Sequence, residues 1–529
     1  MDRQSNMKLS HTRDEWLVGG GAFLVAVCAA FLNLPSLISQ FLVDDSFYYL
    51  EIARNIALGK GVTFDGLHAT NGFQPLYQFL IVPVFWLTAG NEAAIRVVKV
   101  LEAMLLAGGA VLLYRLVLRF VPQKAAAWLA MGILFLPGPH RHPFGKGLFT
   151  GMESGVNLVM ILLLLPMWMD FLAGRSGTTF FFLYGLVIAC VFLARLDNVF
   201  LIGVIAAHHL YLAAKSPPPK SSGLWISAAV VLVIAGSYLA WNYSQFGSIA
   251  PVSGQVQRWQ SQQYSARLLS QGWYPWLREV LWFVFDFRPI AVLPWIGLLG
   301  LPAVFLLQRV GPRANTGNAP YESRTRLILF VLWVSSVFKI GYYAVFHLFP
   351  RSGNYWYYVQ EVIVFALCVG LLADRLVSRY RDHSVDAAAR LLVIGLMALS
   401  AIAILKTTPV FEWELASYSF TRVVDRYVAP GEVLGARDAG VLGYFLPNPV
   451  VNLDGLVNDR QFFDELTAGR IGQYVLDQDI VYLMNLAEPS QEDLITGWMG
   501  TDRVELVYRS NAPVDRPQGW IYKLYRVVK

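Results

Sequence analysis

Asp44 and Asp45, in the stretch FLVDDSFYYLEIARNIALGKG, are the residues whose type and place most strongly suggest chemistry. They follow a long apolar segment, where that segment should leave a bilayer. Carboxylates are costly inside hydrocarbon, so a pair at this boundary faces water or a cavity rather than lipid. There a carboxylate can take the proton of an acceptor hydroxyl as that hydroxyl attacks an activated sugar carbon. Its neighbour would raise its pKa by like-charge repulsion, or orient the acceptor. The structural alternative is that the pair caps a helix beginning at Ser46, since Asp is favoured at an N-cap and in a first turn. One cap needs only one of the two.

A second constellation is basic. His140, Arg141, His142 and Lys146 crowd one short loop just before Glu153. Such side chains hold a lipid phosphate or touch anionic headgroups. Arg96 at the head of a span, and Arg195 with Asp197 between two spans, are either structural ion pairs or cavity-lining groups. In SQFGSIAPVSGQVQRWQSQQYSARL, Gln255, Gln257 and Arg258 are positioned either to touch sugar or phosphate, or simply to be solvated. Arg351 and Tyr355, in FPRSGNYWYY, pose the same choice at the mouth of another span. Behind the aspartates, SFYYLEIARNIALGKG reads as an amphipathic helix with Phe47 and Tyr48 at headgroup level, ended by Gly59 and Gly61. Asn71-Gly72 is a turn signal, and Pro75 opens the next helix.

The elements that must hold these groups are membrane helices. Of 529 residues, 56% are hydrophobic and 15% charged, and the mean hydropathy is +0.48, well on the apolar side of a soluble chain. The formal charge of +6 need not imply nucleic acid, because basic residues in membrane proteins hold loops on the cytoplasmic side. About eleven spans are expected, near residues 16–38, 97–118, 124–138, 155–173, 179–194, 198–214, 223–243, 289–308, 327–348, 356–376 and 390–406. The first is too long for a signal-peptide core and no cleavage site follows it. Residues 75–89 are short and interrupted by Pro83. Placing them as an interfacial or re-entrant helix leaves the Lys- and Arg-rich loops cytoplasmic and makes residues 39–95 one long extracytoplasmic loop. Residues 1–406 thus form a transmembrane domain, with Lys339 ionisable in mid-span. Residues 407–529 read as a soluble α/β domain with the strand-like runs EVLGA, PVVNLD, DIVYLMNL, RVELVYR and GWIYKLYRV. Cys28, Cys190 and Cys368 lie in apolar runs and offer no metal-ligand spacing. Walker A, HExxH and GxSxG are missing, which argues against a nucleotide-driven pump and common hydrolases.

In order along the chain, DDSFYYLEIARNIALGKG, NGFQPLYQFL, Arg96, the GMES turn at 151–154, WNYSQFGSIAPVSGQV at 241–256 and DAGVLGYFLPNPVVNLDGLVND at 438–459 resemble the GT-C membrane glycosyltransferases. Within these, they are most similar to the actinobacterial arabinofuranosyltransferases and their relatives. Val252-Ser253 stand where Asn-Thr is usual, and Gln257 or Arg258 near the usual Lys. The resemblance implies a polyprenyl-phosphate-linked sugar as donor, a glycan, lipid or protein as acceptor, surrounding membrane lipids, and a multi-pass plasma-membrane protein working on the extracytoplasmic side. It implies Asp44 or Asp45 as the base, with inversion of the sugar. Donor phosphate would be held by Arg96, His140, His142, Lys146 and Arg351. Tyr48, Asn71, Glu153, Arg195, Asp197, Gln255, Arg258 and Tyr355 would contact substrates, and Asp438 and Asp454 would help bind the acceptor or simply end strands. No metal or cofactor is demanded. The other classes open to this sequence are a lipid-linked-sugar flippase and a non-catalytic membrane scaffold.

Overall fold

The computed structural model describes residues 2–135, 148–215, 218–285, 296–304, 319–348, 355–378, 380, 383–406, 412–487, 494–510 and 521–528. It is a bundle of membrane helices carrying a small sheet domain at its C-terminal end. The opening apolar segment is not one helix over 16–38. Helix α1 (Asp2–Val27) tightens into a 3-10 turn (Cys28–Phe31), and the chain restarts as α2 (Leu34–Phe41). The break is local chemistry: the Asn33 side chain accepts the Ser36 amide at 2.9 Å, and Pro35 starts a helix more readily than it continues one. A second short step leads into α3 (Asp44–Ala57), which starts at Asp44 itself rather than at Ser46.

Next come α4 (Pro75–Leu87), α5 (Asn91–Leu118), α6 (Lys124–Met131), α7 (Ser154–Leu172), α8 (Thr178–Ala194), α9 (Val199–Lys215) and α10 (Pro218–Phe246). They are followed by α11 (Val252–Ser270), α12 (Trp273–Phe285), α13 (Ala319–Phe346), α14 (Val359–Val377) and α15 (His383–Leu405). Among the described residues, 8 helices are long and apolar enough to cross a membrane, so the chain is a multi-pass membrane protein. Of the other expected spans, Lys124–Phe135 and Thr178–Ala194 are shorter apolar helices. Most of 289–308 lies outside the described residues.

Two sets of contacts fix how the bundle runs. At one end Arg115 pairs with Glu15 at 2.7 Å, and Asp14 receives Arg390 at 2.9 Å and Lys124 at 3.5 Å. At the other end Arg96 donates to the carbonyls of Ala30 and Leu32. Helices α1 and α5 are therefore antiparallel, and everything between them begins and ends at one end of the bundle. The 13 residues of α4 would span only ~20 Å, short of a ~30 Å hydrocarbon core.

The sheet domain opens with α16 (Glu412–Val424). Its five strands are β1 (Leu434–Ala436), β2 (Val450–Asn452), β3 (Tyr482–Ala487), β4 (Val504–Arg509) and β5 (Ile521–Val527), each falling on one of the strand-like runs of the sequence, with β3 one residue longer than its run at the C-terminal end. They are ordered β2-β1-β3-β5-β4. The first three are parallel, and β5 runs antiparallel to both β3 and β4. The β1–β2 crossover carries α17 (Gly440–Phe445), which packs on α3. Phe47 meets Tyr444 and Phe445 with ring centroids 5.7 Å apart in each case, and Tyr48 meets Phe64 edge-on at 5.1 Å.

One ion pair inside the bundle sets the level of α3. Lys99 and Glu102, both 0% exposed, lie one turn apart on α5 with nitrogen and oxygen 2.6 Å apart. The Lys99 ammonium also donates to the carbonyls of Phe41, at the end of α2, and Phe149, in the turn before α7, at 3.2 and 2.7 Å. It thereby ties both chain segments that flank the aspartates to α5. Removing one partner strands a charge, so Lys99→Met is expected to cost about 3–5 kcal/mol, and the double change Lys99→Met/Glu102→Leu to recover most of it. Thermal unfolding of the purified protein in detergent measures both.

Candidate active site

Four consecutive backbone N–H groups, from Asp438 to Val441, face α3 and are each satisfied by a side chain. Asp438 donates to Asp454 Oδ2 at 3.1 Å and Ala439 to the Tyr48 hydroxyl at 3.2 Å. Gly440 and Val441 donate to the two carboxylate oxygens of Asp44 at 3.0 and 2.9 Å. The first amides of a helix have no partner within it, and Asp44 supplies one from another domain. The approach is close enough to require glycine, since a Cβ on residue 440 would stand 2.1 Å from the Asp44 carbonyl oxygen. Tyr48 completes the junction by donating to Asp454 Oδ2 and accepting from the Asn452 side chain, each at 3.1 Å. Asp454 also receives the Leu456 amide at 2.8 Å.

The two adjacent aspartates thus have different surroundings. Asp44 is buried and engaged, and its amide donates to Glu414 at 3.2 Å. It does cap a helix, but that helix is α17 and not its own. Burial first, and then Asp438, push its carboxyl up to about 7, against the pull of the two amides. Asp45 is partly open, and its carboxylate has no hydrogen bond or ion pair among the described residues. Burial, followed by the charges of Asp44, Asp454, Asp438 and Glu153, holds it well above the ordinary 3.8. Asp438 is exposed, and its backbone sits at φ 44°, a left-handed conformation uncommon outside glycine.

A chain of polar contacts leads from α3 into the bundle. Tyr49 donates to Glu153 Oε2 at 2.9 Å and accepts the Gln74 amide at 3.0 Å. Glu153 pairs with Arg195, whose guanidinium holds Asp197 at 2.9 and 3.2 Å and lies 4.7 Å from the Tyr357 ring centroid. Tyr343 donates to Asp197 at 2.6 Å. Deeper still, Lys339 pairs with Glu361 at 2.5 Å. The expected residues Glu153, Arg195 and Asp197 are therefore brought together, as partners of one another.

Other expected residues are placed elsewhere. Arg96 is taken up by Glu92, at 2.5 Å, and by the carbonyls of Ala30 and Leu32, so its donors fasten α1 to α5 instead of facing the aspartates. Tyr48 is buried in the domain junction, not at headgroup level, because its hydroxyl has three partners there. Asn71 ties the loop to α10 and α11, donating to Asn242 at 3.1 Å and accepting the Val252 amide at 2.9 Å. Gln255 donates to the Ala250 carbonyl and accepts from Arg460. Arg258 is exposed, stacks over Phe346 at 5.4 Å and meets no carboxylate among the described residues. His140, His142, Lys146 and Arg351 lie outside the described residues, as does the Tyr355 side chain.

Sequence reasoning missed Tyr49, Gln74 and the Lys99–Glu102 pair. The last had a signal, two opposite charges at i and i+3 inside a 28-residue apolar helix. Among the described residues no group of three or more His, Cys, Asp or Glu is arranged to hold a metal ion.

Residues 410–527 match a family model described only as a domain of unknown function, DUF8728. No curated protein matches the chain. Among solved structures, it is similar to ArnT from Cupriavidus metallidurans bound to undecaprenyl phosphate, at TM-score 0.51 and 12% identity, covering 98% of each chain. It is also similar to the Archaeoglobus fulgidus oligosaccharyltransferase in complex with Zn and sulfate, at TM-score 0.50 and 16% identity, covering 88% of this chain and 67% of that one. Both neighbours are GT-C glycosyltransferases, and the chain has the GT-C fold: a helical membrane bundle with a C-terminal sheet domain.

Asp44 links pH to domain docking. A carboxyl whose folded pKa is raised contributes stability that is full below its unfolded value of about 3.9 and is lost as pH rises through the folded value. The melting temperature should therefore fall as pH rises through about 7, and Asp44→Asn should flatten that fall. The same substitution replaces one acceptor oxygen by an NH2 group facing an amide. Hydrogen exchange at Gly440 and Val441 should then accelerate, reflecting a loss of about 1–3 kcal/mol.

Proposed function

We propose that this protein is a membrane glycosyltransferase that moves a sugar from a polyprenyl-phosphate donor to an acceptor hydroxyl, with Asp45 as general base. The observation that carries this reading is the contrast between the paired aspartates: Asp44 is saturated by amides, while Asp45 is partly open and unpartnered among the described residues. Burial and the neighbouring charges hold its carboxyl above the ordinary range, the direction that makes a carboxylate a stronger proton acceptor. The GT-C fold supports the donor class, and the ArnT neighbour is a complex with undecaprenyl phosphate.

In the proposed step, Asp45 takes the proton of the acceptor hydroxyl as its oxygen bonds to the anomeric carbon. The bond from that carbon to the phosphate oxygen breaks, and its electron pair leaves with the lipid phosphate. Direct displacement inverts the sugar. Arg258 is a candidate to stabilise the leaving phosphate, since no carboxylate among the described residues neutralises it. His140, His142, Lys146 and Arg351 are further candidates from the sequence. The site would work on the extracytoplasmic face of the plasma membrane, the side the Lys- and Arg-rich loops avoid. The sequence resemblance makes an arabinofuranosyl donor the first to test.

Transfer is measured with a panel of polyprenyl-phospho-sugars and glycan, lipid and peptide acceptors. Asp45→Asn should lower kcat by about 10²–10⁴-fold with folding retained, the usual contribution of a general base. Wild-type kcat should rise with pH along a limb well above the ordinary carboxylate value, because the base works only when deprotonated. Full activity in Asp45→Asn would refute the assignment. Arg258→Ala should raise the donor KM by about tenfold or more, as expected for losing a charge-assisted hydrogen bond.

A further inference from the structure

Helix α11 starts at the end of the bundle that carries the aspartates. Its Val252 amide donates to Asn71 at 2.9 Å, Gln257 donates to the Tyr357 hydroxyl at 3.4 Å, and Arg258 lies 5.4 Å from the ring centroid of Phe346, the last residue of α13. The chain then turns at Gly272, whose φ of 121° suits glycine, and α12 packs back on α11 and touches α13. The hairpin thus leaves the bundle and returns to it.

Helix α12 is apolar on both sides. Trp276, Leu277, Val280 and Phe283 are half-buried along one stripe. The opposite stripe, at i, i+4, i+7 and i+8, is Tyr274, Arg278, Leu281 and Trp282, and all four are exposed. Tyr274 is 63% open and Trp282 58%, and Trp273 stands 69% open beside them in the first turn. A helix bathed in water carries polar residues on its outer side, and a contiguous open apolar face marks a partner.

We propose that this partner is the bilayer surface: α12 lies in the membrane–water interface, with Tyr274, Leu281 and Trp282 seated among phospholipid headgroups and upper acyl chains. Three observations favour lipid. The chain crosses the membrane many times, and the patch continues the exposed ends of two spanning helices, Tyr243 on α10 and Val345 and Phe346 on α13. Its composition is that of an interface, where tryptophan and tyrosine rings settle and an arginine stem lies along apolar surface with its head at the phosphates. Arg278 is the arginine so placed, with Glu279 as a loose partner at 3.4 Å. Finally, the 13 residues of α12 reach only ~20 Å, too short to cross a ~30 Å core, so the helix lies along the surface. The hairpin then sets the depth of α11, which carries Gln257 and Arg258.

The test needs neither donor nor acceptor and is independent of the role given to Asp45. Full-length protein is placed in nanodiscs of phosphatidylcholine brominated at either a shallow or a deep acyl position. Emission of wild type minus that of Trp273→Phe/Trp282→Phe isolates these two rings among the 16 tryptophans. Tyr274→Trp adds a reporter on the open face without removing any packing. Both signals should lose most of their intensity to the shallow bromines, lose less to the deep ones, and be largely protected from acrylamide in the water. Strong acrylamide quenching with none from either lipid would put α12 in solvent and overturn the proposal. Stronger quenching by the deep label would make it a membrane-crossing segment and overturn it equally. Protection from lipid and acrylamide alike, with a doubled particle mass, would show a second copy of the chain on this face instead.

Discussion

The structure depends on satisfying the amides of residues 438–441. Three of the four belong to buried residues, and leaving a buried donor unmet costs about 1–3 kcal/mol. No sheet neighbour can supply the acceptors, because this turn stands between β1 and α17. They come instead from Asp44 and Tyr48 of a helix almost four hundred residues earlier, and from Asp454. That requirement docks the sheet domain on α3, demands glycine at 440, and sets the two aspartates apart. The one that meets the amides is spent on structure, and the one beside it keeps a partly open carboxylate.

A second constraint works from the membrane side. Residues 39–57 have to stay level with the turn before α7, and a buried cation does this. Lys99 holds the carbonyls of Phe41 and Phe149 together while Glu102 neutralises it. The Tyr49–Glu153–Arg195–Asp197–Tyr343 chain then extends the same order through the bundle. Lys99 with Glu102, Arg195 with Glu153 and Asp197, and Lys339 with Glu361 are paired, as low-dielectric surroundings require. Arg258 is exposed, lies over the Phe346 ring and faces no carboxylate among the described residues.

Much of the fold was legible because membrane spans and strands announce themselves through composition. The five β-rich runs after residue 430 each became a strand, and eight apolar segments became helices of spanning length. The opening segment misled, since Asn33 and Pro35 are a helix start hidden inside an apolar run that hydropathy reads as continuous. In the site, the aspartate pair was visible in sequence, but the division of labour within it was not. Asp44 and Asp45 have the same chemistry and adjacent positions; only the distant turn at 438–441 tells them apart. Arg96 shows the reverse case, an arginine at a span's edge whose donors the neighbouring helix end consumes. Tyr48, read as an interfacial aromatic, proved to be a buried hydrogen-bond hub for the same reason: its partners are far away in sequence.

The central claim is that the space beside Asp45, between α3 and the sheet domain, is where sugar transfer occurs. An experimental structure in lipid nanodiscs, with a non-hydrolysable polyprenyl-phosphonate sugar and an acceptor, tests it most directly. The account predicts an acceptor hydroxyl about 2.6–3.2 Å from an Asp45 carboxylate oxygen, on the face of the anomeric carbon opposite the phosphonate. Donor and acceptor bound together at a place remote from Asp45 would contradict it.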